Sequence, residues 1–326
     1  MRKILAAVLA CCFTVFGLVA CGKTEAAEID VYAPDGAPAL ALAYAMHSDG
    51  ERDGVSYHVV EASTIAAYVS NKDREKNADV CLLPVNLAAK LLGGGEEYQL
   101  LGVATHGNLY LLGEKPIGKN NAEELKGKTV GVVQLANVPG LVTKAVLSDL
   151  GLSYALLSDG GPMDGTKVNL KGVVPSRDLA ALGIDYLVAP SPAAERLGLP
   201  FAASLQELYG DGNGYPQAVI VAKRTLIESD TAWVRAFLAQ VESGAAWLKT
   251  AEIESICGAV EGKLHGGIAP TFTPKTLSRE AIENASVYFS SAMESKTEIK
   301  EFLRDLSSVA TENFEVSDGF FYGGVI

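Results

Sequence analysis

Residues 33–43, Ala33-Pro34-Asp35-Gly36-Ala37-Pro38-Ala39-Leu40-Ala41-Leu42-Ala43, carry an alternating apolar run into a helix of small residues. Gly36 permits a tight backbone turn, and Pro38 is preset for a first helical turn. If the amides opening that helix face a cleft, they can donate to an acceptor on a bound molecule. If they do not, Asp35 simply caps the helix.

Working outward, strands and helices alternate. Ile29–Val31, Ser56–Val60 and Asp79–Leu83 are expected strands. Ala37–Met46, Thr64–Val69 and Leu87–Leu92 are expected helices, and an extended stretch from Tyr98 to Leu112 is interrupted at Thr105-His106-Gly107-Asn108. After the turn-rich Gly113–Gly118 a second set begins. It has helices at Asn121–Lys126, Pro139–Leu150 and Asp178–Leu182, and strands at Thr129–Gln134, Ser153–Leu157, Asn169–Val174, Asp185–Ala189 and Gln217–Lys223. Such alternation predicts βαβ units on mainly parallel sheets. From Thr225 the pattern becomes helical: Thr231–Leu248, Ala251–Leu264, Ser278–Met293 and Thr297–Leu306.

The amino terminus sets the compartment. Met1-Arg2-Lys3 precedes an apolar run from Ile4 to Leu18 that is short for a membrane span and suits a secretory signal. Leu18-Val19-Ala20-Cys21 resembles the bacterial lipobox, which implies cleavage before Cys21 and lipidation of that cysteine. Residues 1–20 would thus be a lipoprotein signal peptide and 21–28 a polar tether. The protein is expected outside the cytoplasm, anchored to the bacterial membrane through Cys21.

The 326 residues are 48% hydrophobic and 20% charged with 33 glycines, enough to bury a large core without disordered bias. A mature chain of roughly 300 residues suits two lobes better than one. The formal net charge of -12, more negative still once Arg2 and Lys3 are removed, argues against nucleic acid and against a polybasic membrane patch. Beyond the signal and Cys21 only Cys81 and Cys257 remain, as two buried thiols or as one pair. His47, His58, His106 and His265 are scattered, and no CxxC, HxxH or HExxH occurs, so neither a metal nor a cofactor is expected.

Several segments together resemble the type II periplasmic solute-binding proteins of ABC importers, in the nitrate, sulfonate, taurine and thiamine-precursor branch. They are Asp35-Gly36-Ala37-Pro38, Ala78–Pro84, the strand from Gly102 to Gly113, Leu125-Lys126-Gly127-Lys128-Thr129-Val130-Gly131, and the late Asp318-Gly319-Phe320-Phe321-Tyr322. The resemblance implies an α/β fold of two lobes with mainly parallel sheets flanked by helices. Residues 29–112 would form the first part of lobe one and 113–216 lobe two. Residues 217–326 would supply a crossover strand and C-terminal helices that pack on lobe one. Crossings between lobes would fall near 109–113 and 217–222, with the ligand in the cleft, where strand ends and helix starts converge.

The strand-to-helix turns supply the candidate ligand contacts. Lobe one offers Asp35, Gly36 and Ala37, Ser63 and Thr64, and Asn86. The interrupted strand offers Thr105, His106 and Asn108, and lobe two offers Gln134, Asn137, Ser191 and Tyr215. Each has a structural alternative, such as a cap for Asn86 or a loop anchor for Tyr215. None of these turns carries an Arg, which favours a neutral or heteroaromatic solute, although Asp35 also suits a cation.

Two motif matches fail. Gly113–Lys119 fits GxxxxGK, but Asn120 stands where a P-loop needs Ser or Thr, and Gly93-Gly94-Gly95 lacks dinucleotide-binding spacing. No GxSxG elbow occurs, and the enzymes that share this fold act in the cytoplasm, so the chain is expected not to be an enzyme. The expectation is a monomeric lipoprotein that captures a small molecule and hands it to ABC permease subunits. A ligand-sensing lipoprotein that presents its ligand to a membrane receptor is the alternative.

Overall fold

A computed structural model describes residues 28–49, 54–158 and 160–324. The expected signal peptide, the expected lipidation site at Cys21, and all of the expected tether but Glu28 lie outside these residues. Among the described residues no helix is long and apolar enough to cross a membrane.

The first half builds one sheet. β1 (Ile29–Pro34), β2 (Val55–Val60) and β3 (Val80–Pro84) pair in parallel, with α1 (Ala37–Ser48) and α2 (Val85–Leu92) each starting where a strand stops. All of β3 but Pro84 is buried, as suits a strand covered on both faces. β4 (Tyr98–Thr105) then runs antiparallel to a late strand, and β5 (Leu109–Leu112) leaves for a second sheet.

That second sheet contains β6 (Thr129–Val133), β7 (Tyr154–Leu156), β8 (Val168–Val173), β9 (Tyr186–Pro190) and β10 (Phe201–Ser204). Its order is β10-β5-β9-β6-β8-β7; α3 (Val138–Asp149) and α4 (Leu179–Leu182) connect its strands, and α5 (Leu205–Leu208) follows β10 on the way back to the first sheet. The chain then returns: β11 (Ala218–Lys223) inserts antiparallel between β3 and β4, completing the order β12-β4-β11-β3-β1-β2 with β12 (Val287–Ser291). Each sheet therefore holds a parallel set closed by an antiparallel strand next to a crossing. This is the two-lobe α/β fold that the resemblance implied.

The boundaries move slightly. Leu109–Leu112, expected at the end of lobe one, belongs to the second sheet, and β11 belongs wholly to the first. The crossings are the short links 106–108 and 209–217 rather than the strands themselves. The expected helix at Ser278–Met293 is two elements: α9 (Arg279–Asn284), capped by Ser278, and then the edge strand β12, separated by Ser286 at φ 49°.

α6 (Arg224–Ser229), α7 (Thr231–Thr250), α8 (Ile253–Glu261) and α9 complete lobe one, with α7 and α8 covering α1. α1 is buried along most of its length between them and the sheet, which its alanines permit by allowing close approach. The last helix, α10 (Lys296–Val309), differs from the expectation that the C-terminal helices pack on lobe one. It lies against both α2 and α3 and bridges the lobes. Its amphipathic spacing places Ile299, Phe302, Leu303 and Leu306 in one apolar cluster with Leu83 of the first sheet and Val142 of α3. Cys81 and Cys257 are free and buried; burial pushes the Cys257 thiol up to about 11 and the Cys81 thiol higher still.

Candidate functional site

Pro34, Pro84, Val133 and Pro190 end four parallel strands, two from each sheet, and all four line one cleft of about 440 Å³ between the lobes. This is where open α/β sheets place their ligands, and the volume suits a small molecule. Of the expected contacts, Asp35, Gly36, Ala37, Ser63, Asn86, Thr105, Asn108, Gln134, Asn137 and Ser191 line it.

Three do not. The Thr64 hydroxyl donates to the Glu61 carbonyl on an exposed turn. His106 is buried behind the first crossing, stacked on Tyr288 with ring centroids 3.7 Å apart and bonded to Ser290. Tyr215 is fully buried and stacks on Phe302 at 5.1 Å. Both rings pack the junction between lobes, as befits residues beside crossings.

The opening turn does not cap its helix with a side chain. Gly36 stands at the N-cap with φ 103°, a backbone conformation that favours glycine. The Asp35 carboxylate instead accepts the Gly36 N–H at 2.8 Å and the Thr271 N–H at 2.6 Å. The Thr271 carbonyl accepts the Arg196 guanidinium of lobe two at 2.6 Å, so a clasp crosses the cleft rim. On the same wall Asn86 lies inside α2 rather than at its cap, and its buried Oδ1 has no partner among the described residues.

Across the cleft, α3 begins at Asn137 with no side-chain cap and Pro139 in its first turn. Gln134 holds φ 56°, a left-handed conformation that costs a non-glycine residue about 1–2 kcal/mol and here aims the 134–137 turn at the cleft. Gly140 makes that turn possible, since a Cβ there would lie 1.7 Å from the Leu135 carbonyl oxygen. Gly140→Ala is therefore expected to displace the turn and destabilise the protein by about 1–3 kcal/mol in urea unfolding. Unchanged unfolding would refute the close approach.

The two crossings form the cleft floor. The Asn108 N–H donates to Gln217 Oε1 at 3.1 Å, the Gln217 amide returns a bond to Asn108 Oδ1, and Asn108 Nδ2 donates to the Ser191 carbonyl at 2.9 Å. Thr105 Oγ1 accepts the Ala218 N–H at 3.1 Å. Ser191 Oγ bonds Glu195 at 2.7 Å and reaches the Ala281 carbonyl at 3.1 Å, so its hydroxyl also joins the lobes. Gln217 and Thr271 were not among the expected contacts. Gln217 precedes an obvious strand and could have been weighed, whereas Thr271 lies in an irregular loop with no signal. Among the described residues lining the cleft there is no Lys, Arg or His and no aromatic ring.

The chain has the fold of the periplasmic solute-binding proteins of ABC transporters. Three solved structures show it: an ABC transporter protein from Parabacteroides distasonis (20% identity over 90% of this chain and 98% of that one, TM-score 0.65), the periplasmic aliphatic sulphonate binding protein SsuA from Escherichia coli (12% identity, 91% and 92%, TM-score 0.59), and the ligand binding component of an ABC-type import system from Staphylococcus aureus with zinc bound (11% identity, 91% and 96%, TM-score 0.56). No family model and no curated protein sequence matches the chain.

Proposed function

We propose that this protein is an extracytoplasmic solute-binding lipoprotein, held at the membrane through Cys21, that closes two lobes over a small organic molecule and delivers it to the permease of an ABC importer. The observation that carries this reading is the meeting of strand ends from both sheets around one cleft, joined by two short crossings. A ligand that touches both walls stabilises the closed arrangement only through its contacts to both, which is how such a hinge is biased. Of the solved structures sharing the fold, one is named an ABC transporter, one the ligand binding component of an ABC-type import system and one a periplasmic aliphatic sulphonate binding protein, which supports transport over catalysis. The protein acts as a monomer that presents its loaded form to permease subunits. A neutral solute suits the lining, and a heteroaromatic one would find hydrogen bonds but no ring to stack on.

Thermal unfolding of the lipid-free mature chain against vitamins, pyrimidines, sulfonates and amino acids tests the reading. A true ligand at about a hundred times its Kd should add about 2.7 kcal/mol of stability. Asn137→Ala should weaken that shift without unfolding the protein. Conversion of the ligand to product would point to an enzyme instead.

A further inference from the structure

We infer that Asp35 sets the charge class of the ligand: the solute carries no net negative charge and presents hydrogen-bond donors, an amine, amide or hydroxyl, to the lobe-one wall of the cleft. This rests on the solute-binding reading above and specifies the ligand for it.

Asp35 is the only ionic side chain among the described residues lining the cleft. The amides of Gly36 and Thr271 hold its two oxygens in place, and a carboxylate so held keeps lone pairs for a further donor. It also sits at the start of α1, where the partial positive charge of a helix would otherwise favour an anion from the ligand. That position already has its resident anion. Asn86 lines the same cleft, with its Oδ1 turned inward, buried and without a partner among the described residues.

Among the described residues the opposite wall carries no ionic side chain. The uncapped first turn of α3 presents amides that lack acceptors within the helix, next to the Gln134 and Asn137 side chains. Uncapped helix starts thus face the cleft from both lobes, while the one ionic side chain among the described lining residues lies on lobe one. Arg196, the cation nearest in this network, is engaged with the Thr271 carbonyl and does not line the cleft. A net anion within about 4 Å of Asp35, with no cation to offset it, would lose affinity on the order of a thousandfold at an effective dielectric of about 20.

The test is a metabolite library sorted into net anions (including nitrate and ethanesulfonate), neutral solutes (including cytosine and inositol) and amines with zwitterions (including ethanolamine and β-alanine). It is read by thermal shift and titration calorimetry on the mature chain and on Asp35→Asn. The expected stabilisers fall in the second or third group, and Asp35→Asn weakens them at least tenfold. Asn86→Ala, which removes a neutral polar side chain from the same wall without touching the Thr271 clasp, should weaken them too, and the charge class of the wild-type stabilisers decides the matter if Asp35→Asn fails to fold. Stabilisation of the wild type by nitrate or ethanesulfonate overturns the charge assignment while leaving solute binding intact. So does a stabiliser that is indifferent to both variants. If no group stabilises the protein, the solute-binding reading itself falls.

Discussion

Phe302→Ala is expected to lower the unfolding free energy by about 4 kcal/mol, because it empties a fully enclosed aromatic site. Phe302 is 1% exposed on α10, stacked on Tyr215 at 5.1 Å and meeting Tyr209 edge-on at 5.5 Å. Those tyrosines lie in the second crossing, so the ring supports the link between lobes as well as the core on either side. Aromatic pairs of this geometry contribute about 0.5–1.5 kcal/mol beyond area burial, which places the loss toward the upper part of the range for such truncations. Phe302→Leu, which keeps most of the volume, should recover much of the loss. Urea unfolding of both variants checks this. A loss below about 1 kcal/mol for the alanine variant would mean that α10 does not bridge the lobes.

The same helix shows where sequence patterning stops. Its apolar spacing foretold a buried stripe, and the stripe is there, but spacing does not say which neighbours it meets. α10 was expected on lobe one and lies across both. The β1 turn was legible because Gly36 and Pro38 act locally: each restricts or frees the backbone whatever surrounds it. The interruption at 105–108 was legible for a similar reason, since Gly107 at φ 86° breaks the extended run between β4 and β5. Residues 287–291 were not. Val287-Tyr288-Phe289 favours a strand, but β12 exists only because β4 offers a free edge, and pairing with a partner so distant in sequence leaves no local mark.

The candidate site divides along the same line. Asn86 and Asn137 follow strands directly, so their placement at the cleft follows from topology. His106 and Tyr215 also adjoin crossings, yet their rings turn inward to fill the junction, a choice made by packing partners such as Tyr288 and Phe302. Asp35 was recognised, but as a cap or a direct contact. That its oxygens are held by two amides, one from residue 271, depends on a loop that sequence could not bring to its side.

His106 carries the second large expectation: acid should destabilise this protein through a single imidazole. Burial pushes its pKa down from 6.5 to about 4, and a hydrogen bond to the Tyr288 backbone opposes the shift only in part. A histidine whose folded pKa is lowered favours the neutral form in the folded state. Its contribution is therefore intact above about pH 6.5 and declines as pH falls from there toward 4, where the accumulated loss is about 3 kcal/mol. Carboxylates titrate in part of the same window, so the wild type alone does not isolate the effect. His106→Phe does, because it keeps a ring against Tyr288 and removes the titrating group, while Ser290 retains its bond to Ser295. The stability gap between wild type and variant, measured by urea unfolding near pH 7 and near pH 4, should shift by about 3 kcal/mol in favour of the variant at the lower pH. Equal pH dependence in both proteins would show that the first crossing is open to water at His106, contrary to its burial behind the cleft floor.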